Sequence, residues 1–344
     1  MFGILLRIYS PSRRAHLPAL AAAAVVSSLI LAGCGGDAPS AEESPESQKT
    51  ATGATLSGQW PLTGLPAGGA APKHPVMVVK IDNTSSSSPQ VGLGKADLVT
   101  EELVEGGSTR LAVFYYSQVP KSVGPVRSFR ATDIGIVQPA EAVLVASGGA
   151  PPTVRRVQDA GIKTFTEGAN GYYRDSARMS PYNLFMDLPK LAESLKQPEP
   201  PENYLPWGPD VDFPSGQPAK GIEAEFSASH TSSWRYQGGE YVDQNSFSAE
   251  GDRFTPATVL VLRVDVGDAG YRDPAGNPVP ESKLTGTGEA MVFHGGKLVR
   301  GTWAKRGLDD TITLSTKAGE LTLPAGKVWM ELVPKNGGKV TVTK

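Results

Sequence analysis

The chain has 344 residues, 39% of them hydrophobic, and one cysteine. Its formal net charge is −2, and it lacks the basic footprint that phosphate backbones require, so no nucleic-acid partner is expected. With one thiol at most, an intramolecular disulfide and a thiolate metal site are both excluded.

Arg13 and Arg14 precede an apolar, alanine-rich run over 17–31, too short and too small in side chain for a spanning helix. It reads as a signal peptide, and it ends on Leu31-Ala32-Gly33-Cys34. These four residues resemble the lipobox of bacterial lipoproteins. The resemblance implies that the Cys34 thiol receives a diacylglycerol, that cleavage makes Cys34 the new N-terminus, and that acyl chains such as palmitate follow. An ordinary secretory peptide with a chance cysteine is the plain alternative. On the lipoprotein reading, 1–34 is the leader and the bilayer is a partner through acylated Cys34. The protein then sits lipid-anchored on the extracytoplasmic side of the cell membrane. About 310 residues remain after cleavage, enough for two ordinary domains.

Residues 35–58 are Gly, Ala, Ser, Glu, Pro and Thr with little to bury, a tether with a reach of roughly 25–30 Å. An N-terminal domain is expected over 59–200. Its first strand is the β-branched run 76–81, with Asp82 and Asn83 at its C-terminal end. Segments 98–105 and 110–117 flank Gly106-Gly107-Ser108-Thr109 as a hairpin, the second strand apolar on both faces. Pro125 is placed to open a helix with an apolar stripe of Val126, Phe129, Ile136 and Val137. A strand over 142–146, a helix over 152–160 stopped by Gly161 and a helix over 187–196 complete an α/β layer with a mixed sheet and flanking helices.

Prolines crowd 198–218, which puts a Pro-rich linker at 201–220, although Trp207 and Phe213 point to packing within it. The domain 221–344 reads as short strands between glycine turns with no helix, an all-β small barrel or sandwich. The fold class expected for the whole chain is α+β. Trp234, Tyr236, Tyr241 and Trp303 serve either as core or as a sugar-stacking platform, and a β-domain of this size needs them in the core.

Pro61-Leu62-Thr63-Gly64, Lys80-Ile81-Asp82-Asn83, the run Val104 to Arg110, the run Val123 to Arg130 and Tyr182-Asn183-Leu184 occur in this order. Gly286-Thr287-Gly288-Glu289-Ala290 and the run Lys327 to Pro334 follow. The series resembles the YerB-like bacterial lipoproteins, a family of two domains with no established function, over nearly the whole mature chain. The resemblance carries no reaction across. Family members often have histidine at the positions of Ala146 and Tyr182, and neither is histidine here.

His74, His230 and His294 are dispersed without ligand spacing, so no metal is expected. The Gly-x-Ser-x-Gly elbow and a phosphate-binding loop are both missing, and no cofactor is expected. A polar constellation remains in the N-terminal domain. Asp82, Asn83, Glu102, Glu105, Arg110, Arg127 and Arg130 are the ligand-binding candidates, with Glu101 and Asp133 beside them. Ligands of open α/β sheets gather at strand C-terminal ends, where Asp82 and Asn83 fall. A helix opened by Pro125 would put Arg127 in its first turn, against the macrodipole, and so call for a compensating anion. That anion belongs either to a ligand or to a structural ion-pair network. The expected function is a binding or assembly factor of the cell envelope, with an envelope polymer or a protein as partner. The alternative is an enzyme acting on envelope polymers through acids of the N-terminal domain.

Overall fold

Strand-forming runs begin almost at once in the computed structural model, which describes residues 58–197 and 199–344. The expected signal peptide, Cys34 and nearly all of the tether lie outside the described residues, as does Pro198. Among the described residues no helix is long and apolar enough to cross a membrane.

The first half runs β1 (Met77–Asn83), β2 (Leu98–Leu103), β3 (Thr109–Tyr115), α1 (Asp133–Val137), β4 (Val143–Val145), α2 (Pro151–Asp159) and β5 (Thr164–Phe165). The hairpin β6 (Tyr172–Arg174) and β7 (Leu184–Met186) and the short α3 (Leu188–Ala192) follow. Next come β8 (Trp207–Gly208), β9 (Gln217–Pro218), β10 (Gly221–Ser227), β11 (His230–Gln237), β12 (Glu240–Asp243) and β13 (Thr258–Arg272). The chain closes with β14 (Pro278–Lys283), β15 (Gly286–His294), β16 (Lys297–Lys305), β17 (Thr313–Thr316), β18 (Gly319–Glu320), β19 (Leu323–Pro324), β20 (Val328–Pro334) and β21 (Lys339–Thr343).

One mixed sheet of 13 strands runs through both halves in the order β18-β17-β16-β15-β13-β20-β2-β3-β1-β4-β5, with β14 and β9 at its margins. The junction is β20, which lies parallel to β13 on one side and to β2 on the other. The protein is therefore mostly strand, with few and short helices. The C-terminal half is not the closed barrel or separate sandwich expected, because its strands extend the sheet begun by β1, β2 and β3. Parallel strands buried on both faces carry near-continuous apolar runs, as β20 does.

Period-two alternation divides the core in two. Val76, Val78, Leu98, Ala112, Phe114, Met330 and Leu332 pack on one face. Met77, Val79, Val99, Leu111, Val113 and Trp329 pack on the other, beneath a second sheet of order β12-β11-β10-β21. Trp234, Tyr241 and Trp303 are fully enclosed and serve as core.

The stretch 201–220 is bound down along its length. Tyr204 and Leu205 are buried, Trp207 Nε1 donates to the Pro61 carbonyl at 3.0 Å, β8 pairs with β19, and β9 pairs with β16. The helix expected from Asp187 is also shorter, with Asp187 as its N-cap, accepting from Lys190 N.

Candidate functional site

The helix expected at Pro125 does not form. Strands β1 and β4 run parallel only as far as Val79 and Val145, and the segment 125–129 is inserted where they part. Asp82 N donates to the Pro125 carbonyl and Arg127 N to the Lys80 carbonyl; on the other side Ser147 N donates to Arg127 O and Phe129 N to Gly148 O. Val126 and Phe129, spaced like a helical stripe, enter the two opposite cores, as residues of an extended segment do. Gly124 has φ 155°, and a Cβ there would lie 2.8 Å from Phe185 and 2.9 Å from the Leu184 carbonyl oxygen, so the entry to the segment has room only for glycine. The crevice at strand C-terminal ends, where ligands of open sheets bind, is thus filled by backbone that delivers Arg127 to its mouth.

On this face Asp82, Arg110 and Glu102 stand abreast on β1, β3 and β2. Deepest is Lys80, wholly buried, with its ammonium 2.6 Å from Glu102 and 2.7 Å from Asp133. Burial, and then the charge of Asp133, push the Glu102 carboxyl up despite Lys80. Nearer the surface Glu105 accepts from Arg110 at 3.2 Å and from Arg130 Nε at 2.8 Å, and Arg110 also donates to the Ser128 carbonyl at 3.0 Å. Burial would raise the Glu105 carboxyl, but the Arg130 hydrogen bond and the charges of Arg110 and Arg130 outweigh it and hold it at about 2. Burial, followed by the charge of Arg130, lowers Arg110 to about 10.

Arg127 differs from these two arginines. Its Nε lies 2.9 Å from Asp82 Oδ2, its guanidinium carbon is 5.3 Å from the Tyr182 ring centroid, and its side chain is 23% exposed. Its terminal amino groups donate to none of the described residues, whereas Arg110 and Arg130 are both engaged by Glu105. Tyr182 also lines an adjoining cavity of about 390 Å³ with Ser86, Ser88, Arg178 and Met179. Arg178 donates to the carbonyls of Ser87 and Pro89, tying the β6–β7 loop to the loop that follows β1.

Asn83 departs from the other predicted residues. Alternation turns it to the opposite face, where its amide and the Thr109 hydroxyl donate to Glu101 Oε1 at 2.9 and 2.7 Å. His230 Nε2 reaches the same oxygen at 2.7 Å, and Ser232 donates to Glu101 Oε2 at 2.8 Å. Glu331, opposite Glu101 in the β2–β20 register, accepts from Trp234 Nε1 at 2.8 Å. Burial and then the Glu101 charge push Glu331 well up; burial also carries Asp243 to about 7. Burial opposes protonation of His230, yet the charge of Glu101 prevails and raises it. Burial would raise Glu101, and His230 holds it low. Although Ser232, His230 and Glu101 are neighbours, His230 Nε2 and the Ser232 hydroxyl both address the one carboxylate. The Ser232 hydroxyl lies 3.3 Å from His230 Nε2 but donates to Glu101 Oε2, and the same imidazole nitrogen faces Glu101, whereas in a nucleophilic triad the acid bonds the other ring nitrogen. This network brings residues more than a hundred positions apart together, and only the alternation of Glu101 with Glu102 signals in sequence that the two acids serve different faces.

An α/β crossover beside a long mixed sheet is a fold shared with known proteins. Residues 62–200 match the N-terminal domain, and 222–330 the C-terminal domain, of the family described as protein of unknown function DUF3048. The chain belongs to that family. It is 23% identical over 290 residues to YerB of Bacillus subtilis (strain 168), which carries a lipoprotein designation, covering 80% of this chain and 86% of that one. The crystal structure of YerB from Bacillus subtilis shares the fold, with a TM-score of 0.68 at 20% identity over 82% of this chain and 99% of that one. The resemblance drawn from the scattered motifs is thereby shown.

Proposed function

We propose that this protein is a lipid-anchored, extracytoplasmic binding or assembly factor of the cell envelope, held by acylated Cys34 and engaging an anionic group of its ligand through Arg127. The observation that carries this reading is the contrast among three neighbouring arginines. Arg110 gives both terminal amino groups, and Arg130 its Nε and both terminal amino groups, to Glu105 and backbone carbonyls, while Arg127, positioned by Asp82 and Tyr182, keeps its terminal donors available at the mouth of the crevice. The leader and the lipoprotein designation of YerB support the location.

The acids suit a binding role better than a catalytic one. A general acid or base works best with a pKa near the operating pH. Glu105 is clamped at about 2, and Glu102 is enclosed with Lys80 and has no exposure through which to meet a substrate.

The test is calorimetric titration of the full-length protein in detergent with sodium acetate and with inorganic phosphate. Arg127→Ala should abolish the anion-dependent heat and leave the thermal midpoint within about 2 °C. Undiminished anion binding in that variant rejects the reading.

A further inference from the structure

We infer that the ligand at this crevice is a carboxylate-bearing sugar chain, a proposal that rests on Arg127 as the partner of the ligand's anion. The cluster around the crevice holds the guanidinium groups of Arg110, Arg127 and Arg130 and the ammonium of Lys80 against the carboxylates of Asp82, Glu102, Glu105 and Asp133, four of each sign. What the cluster offers an incoming anion is therefore not a surplus charge but the terminal amino groups of Arg127, which none of the described carboxylates engages. Asp82, 2.9 Å from that arginine, repels a second negative charge on the same ligand group, so a carboxylate fits better than a phosphate dianion.

Beyond the anion, the walls are suited to polyhydroxylated rings. Tyr182 places one flat ring between Arg127 and the neighbouring cavity, and an aromatic face of this kind receives the C–H face of a pyranose. The exposed hydroxyls of Ser86 and Ser88 line the same cavity. Its volume of about 390 Å³ falls within the range of roughly 300–1,000 Å³ for small-ligand sites. Tyr173 stacks on Phe185 with centroids 5.9 Å apart and sets its hydroxyl 2.6 Å from the Ser122 hydroxyl, extending the aromatic and hydroxyl surface along the β6–β7 hairpin. The rim is held in place by Arg178, whose guanidinium covers the Phe185 ring at 4.8 Å while bonding the opposite loop. An acidic peptide would need separate apolar pockets for its side chains, whereas here one shallow cavity combines the hydroxyls of Ser86 and Ser88 with the Tyr182 ring, Arg178 and the small apolar surface of Ala177 and Met179.

The experiment compares tetragalacturonate, maltotetraose, tetra-aspartate and acetate by calorimetry on the full-length protein. Tetragalacturonate should bind at least about tenfold more tightly than acetate and than tetra-aspartate, and maltotetraose more weakly than tetragalacturonate. Tyr182→Ala should bring tetragalacturonate down to the acetate level, while Tyr182→Phe retains the gain. Arg127→Ala should remove binding of all three charged probes. If acetate binding depends on Arg127 but tetragalacturonate gains nothing over it, or tetra-aspartate matches tetragalacturonate, the sugar assignment fails and the anion site stands. If Arg127→Ala leaves acetate binding intact, or acetate does not bind, the reading beneath it fails as well.

Discussion

Glu101 and Glu331 are directly opposed on the parallel strands β2 and β20, where the two halves of the chain meet in one sheet, and neither is exposed to solvent. Two buried carboxylates at that spacing do not both ionise. Glu331 keeps its proton because of burial and then the Glu101 charge, while Glu101 carries the negative charge, accepting from Asn83, Thr109, His230 and Ser232.

Stability should therefore fall as pH rises from about 5 to 7.5. Glu331 and Asp243 have raised folded-state values, so the unfolded chain loses those protons first and folding becomes less favourable on the way up, for Asp243 until about 7. His230 adds the same sign: its value is raised, and its contribution is complete below the ordinary 6.5 and lost as pH climbs through the folded value. Glu101, held low, opposes this only in acid, where its contribution disappears as pH falls through its folded value. Thermal midpoints measured across this range should decline steadily, and a flat or rising profile contradicts the assignment.

Glu331→Gln isolates the proton. The amide oxygen still accepts from Trp234 Nε1, and no ionisation remains at that position. The variant should match the parent near pH 5 and exceed it near pH 8, flattening the pH profile. Equal destabilisation at both values would show that the site depends on shape instead of protonation.

Lys80 is a buried cation between two acids, Glu102 and Asp133. Lys80→Met leaves those acids without a partner and should cost about 3–5 kcal/mol in urea unfolding at pH 7. Adding Glu102→Gln should recover part of the loss, since one buried carboxylate is then gone. A single-variant loss below about 1 kcal/mol would mean that the pair contributes little.

Strands β1 and β3 were legible because both alternating sets of their residues are apolar, which only a doubly covered strand requires. The segment 125–129 was not, since the three-residue spacing of Val126 and Phe129 mimics a helical stripe, and their division between two cores is set by β1 and β4 on either side. The convergence of Asp82, Glu105, Arg110, Arg127 and Arg130 could be read from their places at strand ends and turns. Asn83, grouped with Asp82 in the sequence, is parted from it by alternation, and His230 and Ser232, which share its acceptor Glu101, arrive from a distant hairpin that no local pattern announces.

Arg130 and Arg127 should separate cleanly in stability. Arg130 is 9% exposed, meets Glu105 through Nε and a terminal amino group, and donates to the Phe129 carbonyl, so Arg130→Ala should cost about 2–3 kcal/mol. Arg127→Ala removes the partly exposed contacts with Asp82 and the Tyr182 ring and should cost no more than about 1 kcal/mol. Chemical denaturation of both variants checks this, and a larger loss for Arg127 would place it in the structural network.

On the proposed anchored reading, Cys34 sets where the site works. In Cys34→Ser no thiol is left to take the diacylglycerol, since Cys34 is the sole cysteine of the chain. Each buried methylene of an acyl chain contributes about 0.8 kcal/mol, so retention should depend on lipid and not on a polypeptide of net charge −2. The variant should move from the detergent phase to the aqueous phase and lose labelling by radioactive palmitate, while the anion titration of its Arg127 crevice stays unchanged. Palmitate labelling that persists without Cys34 would reject the anchor, and altered anion binding would show that the leader contributes to the site.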